Sequence, residues 1–367
     1  MDVVFFIGNG FDLQLGMKTS YRQFLELYTS LPSSDRDIAE FREYLRSDKG
    51  EWWSDAELGM GQYLGHFSDN TLNTYFKRIR DFKLKLAEYL DKENEAYDVA
   101  DSPLVIEAFE DFLLHSTNDV MLHSHKLHLN ELRRNNDTFY HFITFNYTDA
   151  LDRIIEACGN DHPLEQFEKF TLAGRRIFNS KLGTVIHVHG TLRSSLIMGV
   201  DNPTQLNSVN IQNYSKLNRT MLKPLVNDEL GRDEVEAATN LIDNSSFLFF
   251  YGLSFGETDK TWWDKIRQKI VTDANCQVIV FNLSSDEEIN PLIPEDVLDY
   301  VNNVKEEFLA KLGIYSDDPV FDTVWKRVFI IRNTKRLDIS RKRIHQLHSM
   351  EKATQTVDNL DFISEYI

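Results

Sequence analysis

Five consecutive apolar residues, Val3 to Ile7, run directly into Gly8-Asn9-Gly10-Phe11-Asp12. A run so short and so uniformly apolar suits a strand buried on both faces, the kind found in a parallel sheet. Glycines at its end let the backbone turn sharply and let a ligand approach with no Cβ in the way. Leu13 and Leu15 then lead to Gly16-Met17-Lys18-Thr19-Ser20-Tyr21, a second tight passage into a helix. A strand, a glycine turn and a helix start together form a place where backbone N–H groups can hold phosphate. The dinucleotide fingerprint is met only in part, because Gly8 and Gly10 fit but its third glycine position is Leu13. A tight turn that merely packs is the alternative reading of this stretch.

Beyond that turn, residues 20–135 read as helical. Tyr21, Phe24, Leu25 and Tyr28 keep helical spacing, as do Leu72, Tyr75, Phe76 and Ile79, and Val105, Ile106, Phe109, Phe112 and Leu113. Trp53-Ser54-Asp55-Ala56-Glu57 reads as a helix start, with Ser54 or Asp55 as cap and Glu57 in the first turn. The other reading sets Asp55 or Glu57 at the mouth of a pocket. His123, His125 and His128 invite a metal, but no cysteine or carboxylate stands beside them at ligand spacing, so a solvated helix face is expected.

The pattern then turns to strands. Phe139–Phe145 ends at Asn146-Tyr147, and Thr148 and Asp149 are placed to open a helix. Residues 160–182 look like an irregular or hairpin excursion. Gly183–Gly190 is a third strand, Phe247–Tyr251 a fourth closed by Gly252-Leu253-Ser254-Phe255-Gly256, Val278–Asn282 a fifth and Val328–Ile331 a sixth. Residues 203–242 read as mainly helical. Strands alternating with helical stretches imply βαβ units. The expected class is α/β: a Rossmann-like, mostly parallel sheet with helices on both faces and a large helical insertion. Residues 1–19 and 136–333 would form the core, 20–135 the insertion and 334–367 a helical tail.

Ligands bind such sheets beyond the carboxyl ends of the strands. Four glycine or polar clusters fall there, at 8–12, 144–149, 187–191 and 252–259. His189 is the best acid/base candidate, since imidazole titrates near neutral pH. His187 shares its strand face, which would suit a metal pair, but Gly190-Thr191-Leu192-Arg193 follows in place of further ligands, so a hydrogen-bonded structural His187 and no metal are expected. Asn146 can grip a ribose hydroxyl or orient a water, or simply form a turn. Asp12 and Asp259 follow glycine turns and could bind a ribose diol or cap a helix. There is no G-x-S-x-G, Walker lysine motif or C-x-x-C, which disfavours serine acyl transfer, P-loop phosphoryl transfer and thiol redox chemistry.

Charge and composition narrow the partners. The net charge is −18, which argues against the basic footprint nucleic acid needs. Lys77, Arg78, Arg80, Lys83 and Lys85 form a basic run that reads as a solvated helix face. Two cysteines, Cys158 and Cys276, cannot build a disulfide framework, and no basic leader precedes the first apolar run. No apolar run is long enough to span a bilayer, and Phe247–Leu253 is the longest after the first strand. A reducing cytoplasm, with no membrane partner, is the expected setting.

Five ordered motifs resemble the bacterial AbiH family. They are Ile7-Gly8-Asn9-Gly10-Phe11-Asp12, Trp53-x-Asp55-x-Glu57, Thr144-Phe145-Asn146-Tyr147-Thr148, His187-Val188-His189-Gly190-Thr191-Leu192 and Tyr251-Gly252-Leu253-Ser254-Phe255-Gly256-Glu257-Thr258-Asp259. That family is named for abortive infection, in which an infected cell stops phage production at the cost of its own growth. AbiH proteins in turn resemble the sirtuin-like fold and its NAD-consuming members. That resemblance implies that Gly8, Asn9 and Gly10 hold the dinucleotide, that Asn146 meets the nicotinamide ribose and that the pair His189-Gly190 supplies the catalytic histidine. It further sets Gly252 and Ser254 in a later ribose or phosphate loop. Asn9 replaces a small residue between the glycines, and Asp12 falls near where a serine is usual. A carboxylate there would repel pyrophosphate, so the ligand differs or Asp12 faces the ribose. The zinc ribbon of deacetylating sirtuins is missing, which argues against deacetylation.

The functional expectation is a phage-defence hydrolase that cleaves NAD to nicotinamide and ADP-ribose. Asn146 and His189 would be catalytic, and Gly8, Asn9, Gly10, Asp12, Gly190, Gly252, Ser254 and Asp259 would bind the nucleotide. No cofactor is required, with NAD as substrate. The rival is a nucleotide-sensing or partner-binding defence protein without turnover, which would use the same glycines. A phage trigger, a partner defence protein and oligomerisation all stay open.

Overall fold

The computed structural model describes residues 1–47, 51–98, 102–159, 163–171, 174–207, 215–283, 289–290 and 292–338. Among the described residues seven strands form one sheet: β1 Asp2–Ile7, β2 Thr138–Thr144, β3 Glu165–Thr171, β4 Gly174–His187, β5 Ser245–Tyr251, β6 Gln277–Asn282 and β7 Val328–Arg332. Their spatial order is β3-β4-β2-β1-β5-β6-β7, and every neighbouring pair is parallel except β3 with β4. The protein is therefore α/β with a mostly parallel sheet. The excursion expected at 160–182 resolves as a hairpin: β3 runs antiparallel along the first half of β4, which begins nine residues before Gly183. The tail expected to be helical begins as a turn at Thr334–Asp338, and from residue 339 it lies outside the described residues.

The helices are α1 Gly10–Gln14, α2 Tyr21–Ser30, α3 Arg36–Ser47, α4 Ala56–Tyr63, α5 Leu72–Ala96, α6 Pro103–His115, α7 His123–Arg134, α8 Ala150–Cys158, α9 Ser215–Met221, α10 Lys223–Glu229, α11 Glu234–Asn244, α12 Lys260–Thr272, α13 Pro294–Lys311 and α14 Phe321–Trp325. Among the described residues no strand lies between β1 and β2. Alternation along β1 sends Val3, Phe5 and Ile7 to one face, where α6, α7 and α8 pack, and Val4 and Phe6 to the other, where α11, α12 and α13 pack. Both faces are covered, which is why the run reads as continuous apolar sequence. Phenylalanine ladders tie β1 to β5: Phe5 stacks on Phe249 at 4.5 Å and Phe6 on Phe250 at 4.8 Å between ring centres.

A third core sits off the sheet. Phe24, Tyr28, Phe41, Trp52, Tyr63, Tyr75, Phe82 and Leu86 of α2 to α5 pack with Met198, Val200, Leu217 and Met221 from the segment after β4. Ser20 starts α2 with a reciprocal cap to Gln23. Asp55 starts α4, its Oδ1 accepting from the backbone N–H of Glu57 at 3.1 Å and of Leu58 at 3.0 Å. Among the described residues no helix is long and apolar enough to cross a membrane.

What positions the site is the way the strand ends are laced together. Gly8 N–H donates to the Tyr251 carbonyl and Gly10 N–H to the Gly252 carbonyl, each at 2.9 Å. Phe145 N–H reaches the Ile7 carbonyl at 2.9 Å and Val188 N–H the Thr144 carbonyl at 3.1 Å. The ladder thus continues past the last strand residues and sets four turns side by side. A Cβ on Gly10 would lie 2.5 Å from the Gly252 Cα, and one on Gly252, whose φ is +69°, would lie 2.6 Å from the Phe11 nitrogen. Glycine is needed there for the approach of one backbone to another. Gly252→Ala should lower stability by about 3 kcal/mol, combining left-handed strain with overpacking. Urea unfolding of both proteins checks this, and an unshifted midpoint would show that the two turns can part freely.

Candidate functional site

A cavity of about 570 Å³ opens at these carboxyl ends. The strand side of its wall is made by Gly8, Asn9, Gly10, Asp12, Phe145, Asn146, Tyr147, Thr148, His189, Gly252, Ser254 and Asp259. The opposite side comes from the helical region between β1 and β2: Ser20, Tyr21 and Arg22 at the start of α2, Trp53, Asp55 and Glu57 around the start of α4, and Leu86 and Leu90 of α5. Nine of the ten residues nominated from sequence therefore meet at one cavity. Gly190 does not line it. With φ at +74°, Gly190 turns the chain against the Ser195 carbonyl. Asp55 is both the cap of α4 and part of the wall, so the two sequence readings of that residue hold together.

Asp12 is the centre of one half of the site. Only 2% exposed, it accepts from Asn146 Nδ2 at 2.9 Å and from Thr148 Oγ1 at 2.6 Å. Asn146 Nδ2 also donates to the Gly8 carbonyl at 3.2 Å. Burial pushes the Asp12 carboxyl up to about 6, and the two side-chain donors and the nearby His187 only partly offset it. Thr148, expected to cap the next helix, instead turns inward to Asp12. Asp149 flanks α8 without a capping bond and pairs with Arg153 at 2.9 Å. Thr19 Oγ1 donates to Asn9 Oδ1 at 2.5 Å and fixes the turn from its outer side.

The other half is an ion network. His189, 5% exposed, brings Nε2 to 2.9 Å from Asp259 Oδ1. Lys223 Nζ donates to the same oxygen at 2.8 Å and to Glu57 Oε2 at 2.6 Å, and stands 3.5 Å from His189 Nε2. Tyr147 donates its phenol proton to Glu57 Oε1 at 3.1 Å. Burial opposes the Lys223 ammonium, but Asp259 and Glu57 outweigh it and hold the amine above its ordinary range. Burial likewise opposes the Asp259 carboxylate, and Lys223 and His189 hold it well below the usual carboxylate range. Burial pushes the Asp55 carboxyl up, with the Glu57 charge adding to it.

His187 points elsewhere. Its Nε2 meets Asp152 Oδ2 at 2.8 Å and its Nδ1 the Asn146 carbonyl at 3.1 Å, beside a separate cavity of about 140 Å³. Burial works against its charged form, yet the Asp152 hydrogen bond and charge raise its pKa. Sequence reasoning missed Lys223 altogether. It sits in a stretch read only as helical, and nothing in Met221-Leu222-Lys223-Pro224 announces that the amine turns inward.

The description "Bacteriophage abortive infection AbiH" belongs to the family model that matches residues 4–281, from β1 into β6. The chain belongs to the AbiH family. All of the cavity's strand-side residues lie inside the matched span, and membership points to phage abortive-infection defence. A comparison with curated proteins found no match.

The AbiH chain should show one clear pH signature. Asp12 binds its proton more tightly folded than unfolded, so its contribution is full below about pH 4 and is lost as pH rises through about 6. Asp12→Asn removes that dependence. The stability difference between the natural protein and Asp12→Asn should shift by about 2 kcal/mol between pH 4 and pH 7 in favour of the natural protein at the acid end. Paired urea titrations at the two pH values measure it, and parallel stability curves would refute it.

Proposed function

We propose that this AbiH protein acts in phage defence by hydrolysing the nicotinamide–ribose bond of NAD. The observation that carries this reading is that Asn146 and His189, at the ends of two adjacent parallel strands, open on the same cavity as the Gly8–Gly10 turn. The cavity volume falls within the range typical of small-molecule sites, about 300–1,000 Å³. Strand order supports it further. With the edge strand β3 set aside, the parallel strands run β4-β2-β1-β5-β6-β7. In order of appearance that is third, second, first, fourth, fifth, sixth, the order of a Rossmann-like dinucleotide fold, with the glycine turn beside the point where the order reverses.

In this reading the Gly8–Gly10 backbone and the Gly252–Ser254 loop hold the nucleotide. The amide nitrogen of Asn146 is committed to Asp12 and Gly8, which leaves its oxygen to accept from a ribose hydroxyl or the attacking water. The C–N bond breaks with its electron pair leaving on nicotinamide, through an oxocarbenium-like transition state. Water forms the new C–O bond and passes its proton to His189. Asp12 is buried with its oxygens accepting from Asn146 and Thr148, which supports a carboxylate turned away from the pyrophosphate.

Purified protein incubated with NAD, with and without phage components, should release nicotinamide. His189→Ala should lower that rate by about two to four powers of ten, the scale for loss of a positioned acid/base. Asn146→Ala should do comparable damage while staying folded, whereas His187→Ala should act mainly on stability. If His189→Ala is folded and fully active, or if the natural protein leaves NAD untouched under triggering conditions, the hydrolase reading fails. A nucleotide-sensing role without turnover then fits the cavity better.

A further inference from the structure

We propose that Lys223 is a positioning residue: its ammonium ties Asp259 to Glu57 and thereby sets how His189 presents its imidazole to the cavity. As a role in catalysis this rests on the NAD reading above; as a statement about His189 it stands on geometry alone. Lys223 is 4% exposed, and its two carboxylate partners lie 166 and 36 residues away in the chain, one on α4 and one at the end of the turn Glu257–Asp259 that leads into α12. Three segments that share no local structure meet at one nitrogen.

The lysine is itself held rigidly. Its backbone N–H donates to the Val200 carbonyl at 2.9 Å, and Val200 N–H donates to the Met221 carbonyl at 2.7 Å, which pins the start of α10 to the segment after β4. A fixed backbone, two carboxylates at 2.6 and 2.8 Å and a neighbouring imidazole at 3.5 Å leave the ammonium little room. Asp259 Oδ1 is shared between Lys223 and His189 Nε2, so the position of one partner fixes the other. Two aromatic neighbours of His189 orient the ring plane but not its nitrogens: Phe145 meets it edge-on at 5.3 Å and Tyr147 lies at 6.2 Å between ring centres. Through Glu57 and the Tyr147 phenol, the same ammonium also reaches the residue next to Asn146. A buried, fully paired lysine is a fixed cation and not a nucleophile. A purely structural ion cluster would explain the burial of Lys223, but it would not require Asp259 to share one oxygen with the histidine.

The test uses Lys223→Met combined with Glu57→Gln, which removes one positive and one negative charge and leaves Asp259 facing His189. The double variant should unfold cooperatively. Its imidazole ¹⁵N signals at His189, assigned with His189→Ala, should move from a single Nε2-protonated pattern toward mixed tautomers. Its kcat for NAD cleavage should fall about 10- to 100-fold with KM within about threefold. A folded double variant with the natural ¹⁵N pattern and kcat overturns the proposal. If the natural protein does not cleave NAD, the hydrolase reading fails and the ¹⁵N pattern alone decides this one. If the double variant does not fold, Glu57→Gln alone, which frees one side of the ammonium, carries the same readout: a displaced pattern supports positioning and an unchanged one refutes it.

Discussion

The contact on which the molecule depends is between two backbones. The turn after β1 and the turn after β5 press together with no side chain between them, Gly10 against Gly252, and exchange hydrogen bonds that prolong the strand ladder. That apposition brings the ends of β1 and β5 into one plane, and the bonds from Phe145 and Val188 add β2 and β4 to it. A parallel sheet delivers all its carboxyl ends to one edge. Here the lacing of the turns holds those ends close enough for side chains from four strands to touch. Asn146 reaches Asp12 across 134 residues of sequence only because both turns are held this way.

A second constraint is the placement of charge. The chain is strongly acidic, and four carboxylates, Asp12, Asp55, Glu57 and Asp259, line one cavity. Burying carboxylates without compensation is costly. Two solutions stand side by side. Burial raises the Asp12 carboxyl to about 6, and two neutral donors, Asn146 and Thr148, offset part of that cost by hydrogen-bonding its oxygens. Asp259 and Glu57 both accept from the buried ammonium of Lys223, which holds the Asp259 carboxylate well below its usual range. The helical region between β1 and β2 thus both walls the cavity and supplies one carboxylate to the ion network, which couples its seating to the histidine.

Much of this is legible in local sequence. The strand at Val3–Ile7, the helical character after Ser20 and the strands near 139–145, 247–251, 278–282 and 328–331 follow from unbroken apolar runs or helical spacing, which are local properties. A helix cap at Ser54 or Asp55 follows from side-chain chemistry, and the structure places it on Asp55. The early start of β4 is less legible, because it opens on Arg175 and Arg176 in four exposed residues with no apolar alternation to reveal it. The role of Thr148 is hidden for a similar reason: its hydroxyl suits a cap in any sequence, and its partner, Asp12, lies far away along the chain.

The sequence by itself determined where the chain turns and which face of each segment is greasy, and so the α/β class, the parallel sheet and the four clusters at the strand ends. Family membership is likewise a property of the ordered motifs. Only the tertiary structure decided that Lys223 belongs among those clusters, that His187 and His189 part company, and that Gly190 stays outside the cavity. The physical reason is range. Backbone preference and amphipathic spacing act over a few residues, whereas a buried ion pair gains its strength only after distant segments have excluded water around it.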